Sequence, residues 1–169
     1  MAETTGTPPA DGNQAAQTSL QIRAQILRNL SFSNPGALKR FDPSPQVTVN
    51  INVDAGKGED NHFMVGLRIE AAAKAGEETV YDIKVDYAGL FRLVNVEQRS
   101  LEPVLLIECP RILFPFARRI VADVTRDGGY APLLLDPVDF VALYKREIAI
   151  RQQQKAEAGQ NGGGQPVPS

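Results

Sequence analysis

The sequence predicts an α+β domain, with a four-stranded antiparallel sheet followed by two helices. Two changes of pattern point to it. From about residue 20 to 94, apolar residues recur at every second position, the period of a half-buried strand. Beyond about residue 110 they recur at three and four, the period of a helix. Strands first and helices second is the order of an α+β chain. A third observation sets the limits. Residues 1–19 and 152–169 are rich in Ala, Thr, Gly, Pro and Gln and hold almost no large apolar side chain. They cannot bury enough surface to offset ~1–2 kcal/mol of ordering entropy per residue, so disordered tails are expected around one folded domain at 20–151.

The first strand is expected within 20–33, with Ile22, Ala24, Ile26 and Arg28 on one face. In the second, Val47, Val49, Ile51 and Val53 alternate with Thr48, Asn50, Asn52 and Asp54. Val65, Leu67 and Ile69 mark the third, and Tyr81, Ile83, Val85 and Tyr87 the fourth. Ala75-Gly76-Glu77-Glu78 between them reads as a hairpin loop. Ala88-Gly89 suggests a bulge or bend before Leu90. Alternation in neighbouring short strands argues for an antiparallel sheet with one packed face and one wet face.

Ile112, Leu113, Phe116, Ala117, Ile120, Val121 and Val124 carry the first helix. Pro115 is placed in its first turn, where a missing N–H is tolerated, and Asp127-Gly128-Gly129 ends it. The second helix is expected to start with Asp136 as N-cap, Pro137 at the first helical position and Asp139 close behind. The first helix has more apolar surface than one sheet covers, so an oligomer interface is expected along Ile112, Phe116, Ile120, Val121 and Val124.

Charge and cysteine content narrow the function classes. With 18 basic and 20 acidic side chains, the 169-residue chain lacks the basic surplus of a nucleic-acid binder. Cys109 is the single cysteine, so no internal disulfide forms. Residues 1–9 have neither a basic start nor an apolar stretch, and no run approaches the ~20 apolar residues of a membrane helix. A cytoplasmic protein with no membrane insertion is expected.

A search for chemistry finds little. His62 is the single histidine and lies in the polar loop Glu59-Asp60-Asn61-His62. A Cys109/His62 dyad is formally open, although a cysteine beside Pro110 at a helix start is more often structural. No metal spacing, phosphate loop or calcium loop is present, so no cofactor is expected. The carboxylates Glu77/Glu78 and Asp82/Asp86 fit a solvated strand face better than acid–base work. The aromatic set is large for a core without Trp, and Phe41 and Tyr130 sit beside prolines in loop-like segments, as binding aromatics do.

Cys109-Pro110-Arg111-Ile112-Leu113-Phe114-Pro115-Phe116-Ala117-Arg118 resembles the most recognisable segment of the SecB family of bacterial protein-export chaperones. The stretch from Tyr130-Ala131-Pro132 through Asp136-Pro137-Val138-Asp139-Phe140 to Tyr144 is similar to that family's loop and lid helix. Weaker similarity runs through Gly89-Leu90-Phe91, Glu77-Glu78-Thr79 and Leu30-Ser31-Phe32, so the resemblance covers about 20–150.

The resemblance implies a homotetramer, a dimer of dimers joined through the first helix. It also implies ATP-independent holding of unfolded preproteins for delivery to the SecA motor. Its polypeptide groove, carried onto this sequence, falls on Phe41, Tyr130, Leu133, Leu135, Phe140 and Tyr144. The family's SecA-facing sheet surface falls on Asn29, Ser33, Asp82 and Lys84, with Asp86 nearby. There the family's acidic pattern is retained only at Asp82, and Asp86 and Glu97 are candidate substitutes. Two alternatives stay open: a related chaperone dedicated to one client, such as an antitoxin, and a small-molecule enzyme on the same frame.

Overall fold

A computed structural model describes residues 18–42 and 44–160. Four strands come first: β1 (Ser19–Ser33), β2 (Gln46–Lys57), β3 (His62–Ala75) and β4 (Glu78–Val94). Helical chain follows: α1 (Gln98–Pro103), a π-helical turn (Val104–Glu108), α2 (Cys109–Asp127) and, after an extended connection, α3 (Phe140–Gln160). The strands form one antiparallel sheet in the order β1-β4-β3-β2, so β1 and β2 are its two edges.

Two hairpins build three of the strands. Asp60 and Asn61 both adopt left-handed backbone and His62 N–H donates to Glu59 O at 2.9 Å, turning β2 into β3. Gly76, at φ +60°, turns β3 into β4 where the hairpin loop is expected. The core lies between one sheet face and α2. Phe63, Val65, Leu67, Ile69, Ile83, Val85 and Phe91 meet Leu113, Phe114, Ala117 and Val121 there. Gly89 allows that approach, since a Cβ on it would lie 2.9 Å from the Leu113 side chain.

The expected bulge at Ala88-Gly89 is therefore corrected: β4 runs regularly through that point, its own irregularity lies at Val80, and β1 bulges at Arg23 and at Arg28. Each bulge inserts one residue and flips the alternation. Leu20, Ile22, Leu27, Leu30 and Phe32 consequently share the helix-side face. Ala24 and Ile26, grouped with Ile22 by simple alternation, pair with Leu90 and Ala88 on the opposite face.

Helix boundaries also differ from expectation. Helical chain starts at Gln98, ahead of the expected helix, so Pro115 is interior to it. The π turn lies between Pro103 and Pro110, where missing N–H donors break the regular ladder and a wider turn is accommodated. At α3 the N-cap is Asp139 and not Asp136: its Oδ1 accepts from Ala142 N–H at 3.0 Å. The folded domain does not stop at 151, because α3 continues to Gln160. Residues 1–17 and 161–169, where the rest of the expected tails fall, lie outside the described residues. Among the described residues, no helix is long and apolar enough to cross a membrane.

Candidate functional site

Edge strand β2 differs from edge strand β1 in a way that matters for function. β1 carries an arginine at each of its bulges, and bulges and charges are the usual protection of a sheet edge. β2 pairs with β3 from Gln46↔Lys74 to Lys57↔Phe63 without a register shift. From Val47 to Val53 it carries no charge and no proline. Among the described residues its outer side has no strand partner, so backbone groups face outward along an even line. Its helix-side row of Val47, Val49, Ile51 and Val53 continues the core row of β3 but is incompletely covered, with Val47 and Val49 each 40% exposed.

A trench follows this strand. Its first section, ≈ 330 Å³, lies between Val47, Val49 and Ile51 and the connection Leu133-Leu134-Leu135-Asp136. The second, ≈ 240 Å³, is lined by Ile51, Asn52 and Val53, by Arg68 of β3, by Leu106 of the π turn, and by Leu143, Tyr144, Glu147 and Arg151 of α3. The third, ≈ 530 Å³, runs from Val53 to Ala55 against Leu101, Glu102, Leu105 and Leu106, with Arg151 above. Ile51 is shared by the first and second sections, and Val53, Leu106 and Arg151 by the second and third. At ~3.3 Å per residue, Val47 to Ala55 spans roughly 26 Å.

The wall of the first section is fixed by a residue the sequence reading overlooked. Thr125 is fully buried; its hydroxyl donates to Val121 O at 2.9 Å and accepts from Leu133 N–H at 2.9 Å. Arg118 Nε donates to Leu135 O at 2.6 Å. A polar residue at a core position of an amphipathic helix was the available signal. Together these bonds leave Leu134 pointing out, 65% exposed.

The six residues assigned to the groove divide among three places. Leu133 and Tyr144 line the trench. Leu135 and Phe140, at 5% and 2% exposure, belong mainly to the core, although Leu135 also borders the first section. Phe41 and Tyr130 pack around Val80 and Tyr81, at the level of the first section, since Tyr81 lies opposite Ala73 and Ala73 opposite Val47. The Tyr130 ring lies tilted against that of Tyr81, 4.9 Å away, and its hydroxyl donates to Asn34 Oδ1 at 2.6 Å. Ile51, Val53, Leu106 and Arg151 were missed, because only the folded chain brings β2, the π turn and α3 together.

The sheet-face set is contiguous. Asn29 lies opposite Asp86 and Ser33 opposite Asp82, with Lys84 between, all on the face away from the helices. Asp86 is already engaged by Arg28, at 2.8 Å. In the helix set, Val121 is fully buried in the core, whereas Ile112, Ile120 and Val124 are half-buried and Phe116 is exposed. Phe116 stacks on Tyr87, which lies opposite Leu27 of β1. Leu27, with Ile22 and Leu30, extends that apolar area to the β1 edge.

Cys109 is fully buried, and burial first, then Glu108, pushes its thiol up to about 12. A nucleophilic cysteine needs the opposite shift, so the geometry argues against a Cys109/His62 dyad. His62 sits at the start of β3 with Nδ1 3.1 Å from Glu59 O.

Comparison with known proteins agrees with this architecture. The profile of the SecB family, described as preprotein translocase subunit SecB, matches residues 13–153. A protein-export protein SecB from Rhodopseudomonas palustris is 46% identical over 157 residues, covering 91% of this chain and 98% of its own. One from Maricaulis maris is 44% identical over 162 residues, covering 94% of each chain. Among solved structures, a Mycobacterium tuberculosis SecB-like chaperone, in complex with a peptide from an antitoxin, superposes with a TM-score of 0.56 at 19% identity. It covers 70% of this chain and 90% of its own, and the likeness is one of fold.

Proposed function

Because the chain belongs to the SecB family of preprotein translocase subunits, we propose that it is a cytoplasmic, ATP-independent chaperone that holds unfolded preproteins and passes them to SecA. The observation that carries this reading is the trench along the unprotected edge of β2. An unfolded chain has unpaired backbone groups and apolar side chains together, and β2 offers a complement to both. Its outer N–H and C=O groups accept an added strand, and its apolar row receives alternate side chains.

The energetics suit a site that must let go. Each buried apolar side chain gains ~1.5–3 kcal/mol, and each backbone hydrogen bond ~0.5–1.5. Ordering a client residue costs ~1–2. Because these terms nearly cancel, one trench grips weakly and with little sequence preference. Several trenches on one assembly multiply the grip through effective concentration. The apolar area formed by Phe116, Tyr87 and the β1 row of Ile22, Leu27 and Leu30 supports such an assembly, a homotetramer built as a dimer of dimers. In this reading SecA docks on the opposite sheet face, around Asn29, Ser33, Asp82, Lys84 and Asp86, and no residue performs catalysis.

The test is refolding of a slow-folding, chemically denatured preprotein diluted into a small excess of this protein without nucleotide. Stalled refolding with the preprotein kept soluble is the expected result. Refolding at the normal rate with undiminished aggregation overturns general holding and leaves a chaperone dedicated to one client.

A further inference from the structure

Helix α3 is held to the body of the protein unevenly. Its first residue, Phe140, is locked in the core, with its ring 6.0 Å from that of Phe114. Beyond that anchor it rests mainly on the π turn. Among the described residues, a single ion pair joins α3 to the rest of the fold: Arg151 Nη1 to Glu102 Oε1 at 2.7 Å.

The direction of this pair is informative. Glu147 stands four residues before Arg151 on the same helix face, the spacing at which helical ion pairs ordinarily form. Arg151 instead reaches Glu102 on α1, and both residues line the third section of the trench. The pair lies where two trench sections join, with Arg151 lining both and Glu102 lining the third. Val53 and Leu106 line both sections as well.

We propose that Arg151 and Glu102 form a strap over the trench, and that an extended client passes beneath it across Val53 and Leu106. This rests on the reading of the trench as the polypeptide site and adds its regulation. The strap lets a segment enter when the carboxyl end of α3 swings away and slows its exit once closed. Both side chains are about half exposed, so the strap is weak and salt-sensitive by construction. A weak strap suits a carrier, since it delays loss of the client without trapping it.

Dissociation kinetics test the strap. Fluorescein-labelled, reduced and carboxymethylated α-lactalbumin, a permanently unfolded chain, is bound to the full-length protein and chased with unlabelled chain at low and high salt. For Arg151→Ala and Glu102→Gln, release is expected to be up to about fivefold faster at low salt, with much of the salt dependence gone. The charge swap Arg151→Glu with Glu102→Arg is expected to restore slow, salt-sensitive release. Two results overturn the strap while leaving the chaperone reading intact: single variants that release at the wild-type rate, or a folded charge swap that does not restore it. Failure of the wild-type protein to bind the unfolded chain at all removes the chaperone reading and the strap with it.

Discussion

Arg28 on edge strand β1 reaches Asp54 on the opposite edge strand β2, with Nη2 3.5 Å from Oδ1. Its side chain lies flat across the two central strands and holds Asp86 of β4 at 2.8 Å on the way. Arg68 of β3 closes the group, 3.0 Å from Asp54. One charge from each strand therefore joins a single network on the sheet face away from the helices. Coulombic and hydrogen-bonding contributions hold the Arg28 guanidinium above its ordinary pKa, led by the hydrogen bond to Asp86 and opposed by desolvation. Gly66 makes the crossing possible, since a Cβ there would lie 2.3 Å from Arg28 Nη2 and 2.6 Å from Asp54 Oδ1.

Gly66→Ala is expected to push the Arg28 side chain off the sheet at a cost of about 1 kcal/mol or less, because only flexible ends must move. Arg28→Ala removes the same contacts. Urea denaturation of both single variants and the double variant is expected to show a double-variant cost well below the sum of the singles. Additive costs would mean that Gly66 and Arg28 act separately.

Thr125→Val keeps the shape of the side chain but leaves Leu133 N–H without its partner. A buried unsatisfied donor costs ~1–3 kcal/mol. Lower stability in urea is expected, together with faster amide exchange at Leu133, because the wall of the first trench section loses its tie to α2.

Phe140 and Leu134 separate stability from binding. Phe140→Ala opens a cavity beneath α3 and is expected to cost ~3–5 kcal/mol in urea denaturation. Leu134→Ser alters an exposed side chain and is expected to leave stability within ~0.5 kcal/mol. It should nevertheless weaken capture of an unfolded chain severalfold in fluorescence anisotropy.

Alkaline pH tests the burial of Cys109. Burial, and then Glu108, pushes the folded thiol up to about 12 from an ordinary value of 9.0. Between those limits the unfolded chain releases a proton that the folded protein retains. The stabilising contribution is thus whole below about pH 9 and is lost as pH rises toward 12. Wild type is expected to lose up to ~1.4 kcal/mol per pH unit more than Cys109→Ala over that window, as measured by urea denaturation from pH 8 to 11.

The strands were legible because period two survives wherever a strand is regular. Val47 to Val53, Val65 to Ile69 and Tyr81 to Tyr87 appear at their expected places. β1 was harder to read, since the bulges at Arg23 and Arg28 reverse its alternation twice and only pairing with β4 shows where. Residues 98–108 gave no clear helical signal, as Pro103 and Pro110 weigh against a helix that the π turn permits. The carboxyl end of α3 was concealed by its Gln-rich composition: its side chains from Arg151 to Ala158 are exposed, so it carries no apolar stripe to read.

The candidate site was only partly legible for a related reason. Loop aromatics such as Phe41 and Tyr130 stand out in sequence, but tertiary packing assigns them to a separate cluster around Tyr81. The trench is lined instead by ordinary Val, Ile and Leu residues together with Tyr144, Glu147 and Arg151, all from distant segments. Their exposure follows from β2 lying at the edge of the sheet, a property of topology that no local pattern encodes.

Site-specific photo-crosslinking tests the central claim most directly. A photoreactive residue is placed singly at Val49 in the trench, at Leu134 on its wall and at Lys84 on the opposite sheet face, and each protein is mixed with an unfolded preprotein and illuminated. Strong adducts at Val49 and Leu134, with little at Lys84, are the result expected of a chaperone that holds extended chain along β2. Adducts that form equally or preferentially at Lys84 would place the client on the other face of the sheet and contradict the account.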